Sequence, residues 1–356
     1  MKFFSKIYIS VLVLALGWAN YATCRDFTDM AGRTVNIPDR AQRVYSPAPP
    51  GGLMLYTLNP GVLCTFTNYP GSAVVGRDLL DPRVRTLPNI GFLSGEGAMA
   101  SLENLMRVDP DLIIMFPKNR YETENFAVQN RVIAALDKLN VPYVYAYAED
   151  LRDYPAAYET FAEALGIPER GQILAAYIRD ALADAERVTA KIPAEQRPKV
   201  YYAAGPDGLS TTSGENSHGI ILKLAGDVGV YRGPDNPGTP APHVKIPLEQ
   251  VIAYEPDVMF VSNSVFYQSL TDNSAWRQVK AVREGRVYLV PRDPWNWFDN
   301  PPSFMAAIGL KWTLNLLYPE EYPLDIVDEA VKFYRLFLWS DVTHDEMRKI
   351  IYPENR

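Results

Sequence analysis

The chain has 356 residues, 47% of them apolar and 12% aromatic, and a formal net charge of −7. No basic tract interrupts that acidic balance, which excludes the electrostatic footprint of a nucleic-acid or anionic-membrane binder. With only Cys24 and Cys64 there is no disulfide framework, so apolar cores must hold the fold.

Residues 1–24 carry Lys2, Lys6 and no acid, then an apolar run from Ile7 to Leu16 and small residues at Ala22 and Thr23. A basic start, an apolar stretch and a small-residue exit form a secretory signal, and the run falls short of the roughly 20 residues that span a bilayer. Cleavage there predicts a periplasmic protein starting near Arg25, and loss of both lysines takes the charge from −7 to −9. A lipid anchor on Cys24 is the less favoured alternative, because Tyr21 stands where lipoprotein signals usually carry Leu. The remaining residues, about 330, exceed what one core usually organises, so two domains are expected. Cys64, inside the apolar segment Gly61-Val-Leu-Cys-Thr-Phe66, reads as a core thiol.

An internal repeat follows. Ser101-Leu-Glu-Asn-Leu-Met-Arg-Val-Asp-Pro-Asp-Leu-Ile-Ile-Met115 aligns without gaps with Pro247-Leu-Glu-Gln-Val-Ile-Ala-Tyr-Glu-Pro-Asp-Val-Met-Phe-Val261. In each copy apolar residues recur at helical spacing, Pro-Asp stops the helix, and a continuous apolar run reads as a strand buried on both faces. Arg43-Val-Tyr-Ser46 and Lys199-Val-Tyr-Tyr202 each supply an earlier strand, and Tyr143-Val-Tyr145 and Arg286-Val-Tyr-Leu289 a later one. Three matches in the same order predict two similar α/β lobes of Rossmann-like type with mostly parallel sheets. Between them, residues 168–192 form one amphipathic helix, with Pro168 and Glu169 at its start and Lys191 and Pro193 at its end. At roughly 35 Å it is a stiff connector. The expected division is 1–24 signal, 25–167 first lobe, 168–192 linking helix and 193–356 second lobe.

Catalytic signatures are missing. The three histidines, His218, His243 and His344, form no His-x-x-x-His pair. No phosphate loop, dinucleotide loop or Gly-x-Ser-x-Gly elbow occurs. The chain is therefore expected to be neither an enzyme nor the holder of a cofactor, and no metal site is predicted. The notable loop is Pro291-Arg-Asp-Pro-Trp-Asn-Trp-Phe-Asp-Asn-Pro-Pro-Ser303, which follows a strand and so lies where open α/β sheets bind ligands. Trp297 is expected to face a cleft there, with Trp295, Tyr45, Tyr69 and Tyr202 as further wall residues.

Export, two lobes, one linking helix and Leu-Glu-…-Pro-Asp at the same place in each lobe resemble the substrate-binding proteins of ABC importers for iron siderophores, haem and cobalamin. Phe27-Thr-Asp-Met-Ala-Gly-Arg-Thr-Val-Asn-Ile-Pro38, Ser217-His-Gly-Ile-Ile-Leu-Lys-Leu-Ala-Gly226 and Gly285-Arg-Val-Tyr-Leu-Val-Pro291 resemble further parts of that family, which covers residues 26–320 or so. The resemblance implies a cleft between lobes with limited closure; a monomer is expected, and the acidic balance leaves no nucleic-acid partner. It also implies that Glu103 and Glu249 dock onto arginines of the two permease subunits. His243 falls where its corrinoid binders place a cleft aromatic, and Asn296 near a ligand-contacting acid. The cargo expected from this is an organic metal chelate, first a ferric siderophore, with cobalamin, haem or a nickel complex as alternatives. A bare ion is less expected because histidines are scarce. A sensory or enzymatic domain on the same scaffold is the reading from another class.

Overall fold

The computed structural model describes residues 23–66, 77–91, 102–117, 133–134, 136–235, 243–270, 272–299 and 302–353. The chain opens with an antiparallel hairpin, β1 (Cys24–Thr28) and β2 (Thr34–Pro38), paired from Cys24↔Pro38 to Thr28↔Thr34. Cys24, expected at the signal boundary, is thus the first residue of β1. Strand β3 (Val44–Tyr45) leads to helix α1 (Pro49–Leu58), then helix α2 (Leu102–Val108), β4 (Leu112–Met115) and β5 (Tyr143–Tyr145). β3, β4 and β5 form a parallel sheet in that order, extended beyond β3 by a parallel bridge from Val44 to Leu63.

Helix α3 (Tyr154–Ala164) and the long helix α4 (Pro168–Thr189) separate this sheet from a second one. The latter is built from β6 (Val200–Ala203), β9 (Val258–Val261) and β10 (Val287–Leu289), again parallel, with a bridge from Val200 to Gly229 on the outer side of β6. A small antiparallel pair, β7 (Ser210–Thr211) and β8 (Val244–Lys245), stands beside it, with helix α5 (Ile220–Leu224) between the two in sequence and helix α6 (Leu248–Tyr254) after them. All four residues of β4, of β6 and of β9 are buried, as parallel strands covered on both faces require.

The repeat now has a physical explanation. Asp109 and Glu255 close α2 and α6 at φ 45° and φ 46°, both left-handed, and the following proline prevents continuation. Asp111 then accepts the backbone N–H groups of Gln42 (2.7 Å) and Arg43 (3.0 Å), while Asp257 accepts that of Lys199 (2.8 Å). In each lobe the Pro-Asp pair therefore ends a helix and anchors the neighbouring strand.

The lobes are tied along one side. α4 buries Leu174, Ala175, Ile178, Ala181, Ala185 and Val188, and packs on both α3 and helix α7 (Ala306–Leu317). Helix α8 (Ile326–Leu338) returns from the second half of the chain to pack on α1. There Tyr56 donates to the Leu338 carbonyl at 2.5 Å, and the Trp339 indole to the Tyr56 carbonyl at 3.1 Å. Arg170 of α4 binds the Thr57 and Leu336 carbonyls and lies 4.3 Å from the Trp339 ring centroid. Two crossings, not one, therefore connect the lobes. Helix α9 (His344–Ile351) ends the described chain, started by a Thr343–Glu346 capping box. Among the described residues no helix is long and apolar enough to cross a membrane.

Cys64 is buried beside β3, where its thiol donates to the Val44 carbonyl at 3.4 Å. Burial pushes that thiol up to about 12. Since only the thiolate attacks, native protein at pH 8 should leave Cys64 unlabelled by a thiol reagent, and denatured protein should react fully. Labelling of a Cys24→Ser variant with and without denaturant checks this. Rapid native labelling would place Cys64 outside the core.

Candidate functional site

Three loops at one end of the second sheet bring His218, His243 and Asp299 together. Each is positioned by a local device. The loop after β7 is organised by Asp235, which accepts the Ser213 N–H (2.8 Å) and the Thr212 hydroxyl (3.1 Å). Asn216 then accepts the backbone N–H groups of His218 (2.8 Å) and Gly219 (3.2 Å), turning the chain into α5. Gly219 is needed for that turn, because a Cβ there would lie 1.7 Å from the Ser213 carbonyl oxygen. His243 immediately precedes β8, whose pairing of Val244 with Thr211 sets it beside the same loop. Asp299 lies in the loop after β10, where Asn296 accepts the N–H groups of Phe298 (2.7 Å) and Asp299 (3.2 Å).

Asp299 is 1% exposed in the side chain. Its Oδ1 accepts from the Tyr202 hydroxyl at 2.7 Å, and its Oδ2 lies 3.0 Å from His243 Nε2 and 3.5 Å from His218 Nδ1. The longer approach has no hydrogen-bond alignment, so His218 Nδ1 is a buried nitrogen without a hydrogen-bond partner among the described residues. Burial alone would raise the Asp299 carboxyl. The two imidazoles outweigh it and hold the group well below the usual carboxylate range. Tyr202 moves the other way, raised by burial and then by the Asp299 carboxylate, and so remains a proton donor. His243 is the most open member, at 18% side-chain exposure against 9% for His218.

The first lobe meets this region through the aromatic loop. Trp295 packs edge-on against Tyr56 with ring centroids 5.9 Å apart, lies 6.4 Å from Phe66, and meets Phe304 at 6.2 Å. Beyond the ends of β3 and β5, Ser46 Oγ and Tyr147 Oη are buried without hydrogen-bond partners among the described residues. Such orphaned groups at strand ends are candidate solute contacts.

Several expected wall residues lie elsewhere. Trp297 is 0% exposed and does not face the cleft; its indole N–H donates to Tyr334 of α8 at 3.1 Å, inside the core. Trp295 is likewise buried, spent on joining the lobes. Asn296 is buried and uses its carbonyl to shape the loop, so it offers no ligand contact through that atom. Tyr45 is buried in the first core with its hydroxyl donating to Gly91 at 3.3 Å. Tyr202 is buried as well and acts on Asp299. Tyr69 lies outside the described residues. Only His243 joins the cluster with an open edge. His218, Asp299 and Tyr147 were not singled out as site residues from sequence. The one signal for the first two was that scarce histidines and an acid lay in segments already notable for other reasons.

Glu103 and Glu249 are exposed in the first turns of α2 and α6. No hydrogen bond or ion pair joins either carboxylate to another described residue.

Comparison with known proteins places this arrangement among relatives. Residues 72–294 match the family model described as periplasmic binding protein. A vitamin B12-binding protein of Vibrio parahaemolyticus is 25% identical over 212 residues, 58% of this chain and 69% of that protein. A molybdate-binding protein of Haemophilus influenzae is 26% identical over 369 aligned positions, covering 93% and 96%. Among solved structures, an ABC transporter solute binding protein from Sulfurospirillum deleyianum superposes with a TM-score of 0.80 at 28% identity, covering 92% of this chain and 98% of that one.

Proposed function

The chain belongs to the periplasmic binding protein family, and from that premise we propose that it captures an organic metal chelate outside the cytoplasm and delivers it to an ABC importer. Ferric siderophores are the first class of cargo in this reading, with cobalamin next, the solute named for the Vibrio relative. The observation that carries the choice of a metal-bearing solute is the cluster of His218, His243 and Asp299, two imidazoles and a carboxylate at the strand ends of the second lobe. Imidazole with carboxylate is a donor set for transition metals, and few other solutes need it. In this reading the lobes are 25–167 and 193–356, joined by the connector 168–192, and residues 1–24 are the export signal. Glu103 and Glu249 are the contacts for the permease subunits. We assign the chain no catalytic step.

A second reading is a tetrahedral oxyanion, favoured by the molybdate-binding relative that matches nearly the whole chain. Imidazolium groups backed by a carboxylate can donate to an anion. Against this, the Asp299 oxygen closest to both rings would repel one.

Titration of solute-free protein separates the readings. Trp295 joins the lobes at the aromatic loop, so a chelate bound between the lobes should change tryptophan emission saturably. We expect saturation by a ferric siderophore or cobalamin and no competition by molybdate. Saturable binding of molybdate with no response to any chelate would replace the first reading with the second.

A further inference from the structure

We propose that His218, His243 and Asp299 form a metal site that binds a divalent first-row transition-metal ion directly, without an organic chelator. For its biological occupant the inference rests on the reading of a metal-bearing solute, but the site itself stands on geometry. Two of the chain's three histidines, carried on separate loops, converge on one buried carboxylate from a third loop. One donor atom from each residue lies within 4.8 Å of the others.

The two separations from Asp299 to the histidines fit a coordination polyhedron. A first-row ion holds nitrogen and oxygen donors at roughly 2.0–2.2 Å, so adjacent donors stand about 2.9–3.5 Å apart in octahedral or tetrahedral arrangements. The pairs here, His243 Nε2 to Asp299 Oδ2 at 3.0 Å and His218 Nδ1 to the same oxygen at 3.5 Å, fall in that range. An ordinary hydrogen-bonded ion pair accounts for His243. It leaves His218 unexplained, because a nitrogen in a side chain only 9% exposed has been brought to the carboxylate without forming a hydrogen bond. An ion between the three side chains would satisfy it.

Support around the cluster has the form that metal ligands usually receive. The second oxygen of Asp299 is held by Tyr202, whose own position is fixed in β6, and the backbone of Asp299 is held by Asn296. Such outer partners orient a ligating carboxylate and are costly to remove. Two imidazoles and one carboxylate suit Zn²⁺, Co²⁺, Ni²⁺ or Fe²⁺, while Ca²⁺ and Mg²⁺ prefer sites made only of oxygen. Three protein donors also leave coordination positions for water or a solute, on the side where His243 is open.

The test uses the tag-free chain stripped with a chelator. Calorimetric titration with Zn²⁺ should show one equivalent bound, and Co²⁺ should give visible d–d bands of a nitrogen–oxygen site. His218→Gln and His243→Gln should each weaken Zn²⁺ binding by more than the roughly 10–100-fold expected for Tyr202→Phe, which removes only a supporting hydrogen bond. Circular dichroism and melting curves check that each variant is folded, and Tyr202→Phe keeps the test open should a histidine variant fail to fold. No stoichiometric Zn²⁺ or Co²⁺ binding by the natural sequence would overturn the site, as would binding that the three substitutions leave unchanged. A ferric chelate and molybdate titrated into the same preparation separate the two readings. Chelate binding without bare-ion binding sinks the site alone, and ion binding without chelate binding sinks the chelate and keeps the site.

Discussion

Trp297→Ala should destabilise the protein by about 3–5 kcal/mol, the range for truncating a large buried aromatic. The indole is fully buried, and its N–H donates to the Tyr334 hydroxyl, which in turn donates to the Asp293 carbonyl. Its backbone is pinned too, with the Trp297 N–H donating to the Pro291 carbonyl at 2.9 Å. On the other side the Trp297 carbonyl presses on α7 so closely that a Cβ on Gly309 would stand 2.1 Å from its oxygen. Neither helix can close over the space an alanine leaves, so the cavity should persist. Trp297→Phe keeps most of the volume and loses the hydrogen bond, leaving the Tyr334 hydroxyl one partner short. It should cost about 1–3 kcal/mol. Urea unfolding measures both, as a lower midpoint at an unchanged slope. An alanine variant of normal stability with weakened solute binding would return Trp297 to the cleft wall.

That residue also shows where sequence reasoning succeeds and where it stops. The lobes could be read because their evidence is local. Apolar runs at Leu112–Met115 and Val258–Val261, helical spacing before them and Pro-Asp between are all contiguous, and each has one dominant physical interpretation. The direction of Trp297 is not local. It is decided by Asn296, whose side chain folds the loop back on itself, and by Tyr334, which comes from a helix near the other end of the chain. A tryptophan in a proline-rich loop at a strand end fits a cleft or a core equally until that helix is known to pass beneath it. The return of α8 onto α1 is equally invisible, since amphipathic spacing reveals a buried face but not what covers it. Convergence of His218, His243 and Asp299 is the extreme case, with three loops contributing one residue each and no spacing rule linking them. Scarcity of histidine argued against a metal site from composition, yet two of the three are spent on one carboxylate.

Uptake should be lost when Glu103 and Glu249 are both replaced by alanine, while solute affinity and melting temperature stay close to those of the natural sequence. The repeat gives the reason. Its Pro-Asp ends a helix and anchors a strand in each lobe, and the apolar residue at the fourth position of each helix, Leu105 or Val251, is fully buried. Folding explains those identities. It does not explain the two glutamates, which are exposed and joined to no other described residue. An acid in the first turn of a helix gains about 0.3–1 kcal/mol from the helix dipole, an advantage that aspartate, or a serine cap, could supply as well. The same residue at the same point of both lobes is what a partner with matching twofold character would demand, one lobe to each subunit. Exposed charges of this kind chiefly guide encounter and orientation, so their removal should leave the fold within about 1 kcal/mol of its natural stability. Either single variant retains one contact and should transport at a reduced rate that falls further as salt is raised, because screening weakens the remaining charge. Transport in cells and solute binding by purified protein must be measured on the same variants. Normal uptake by the double variant would end the docking role, and lost solute binding would move both residues into the fold or the cleft.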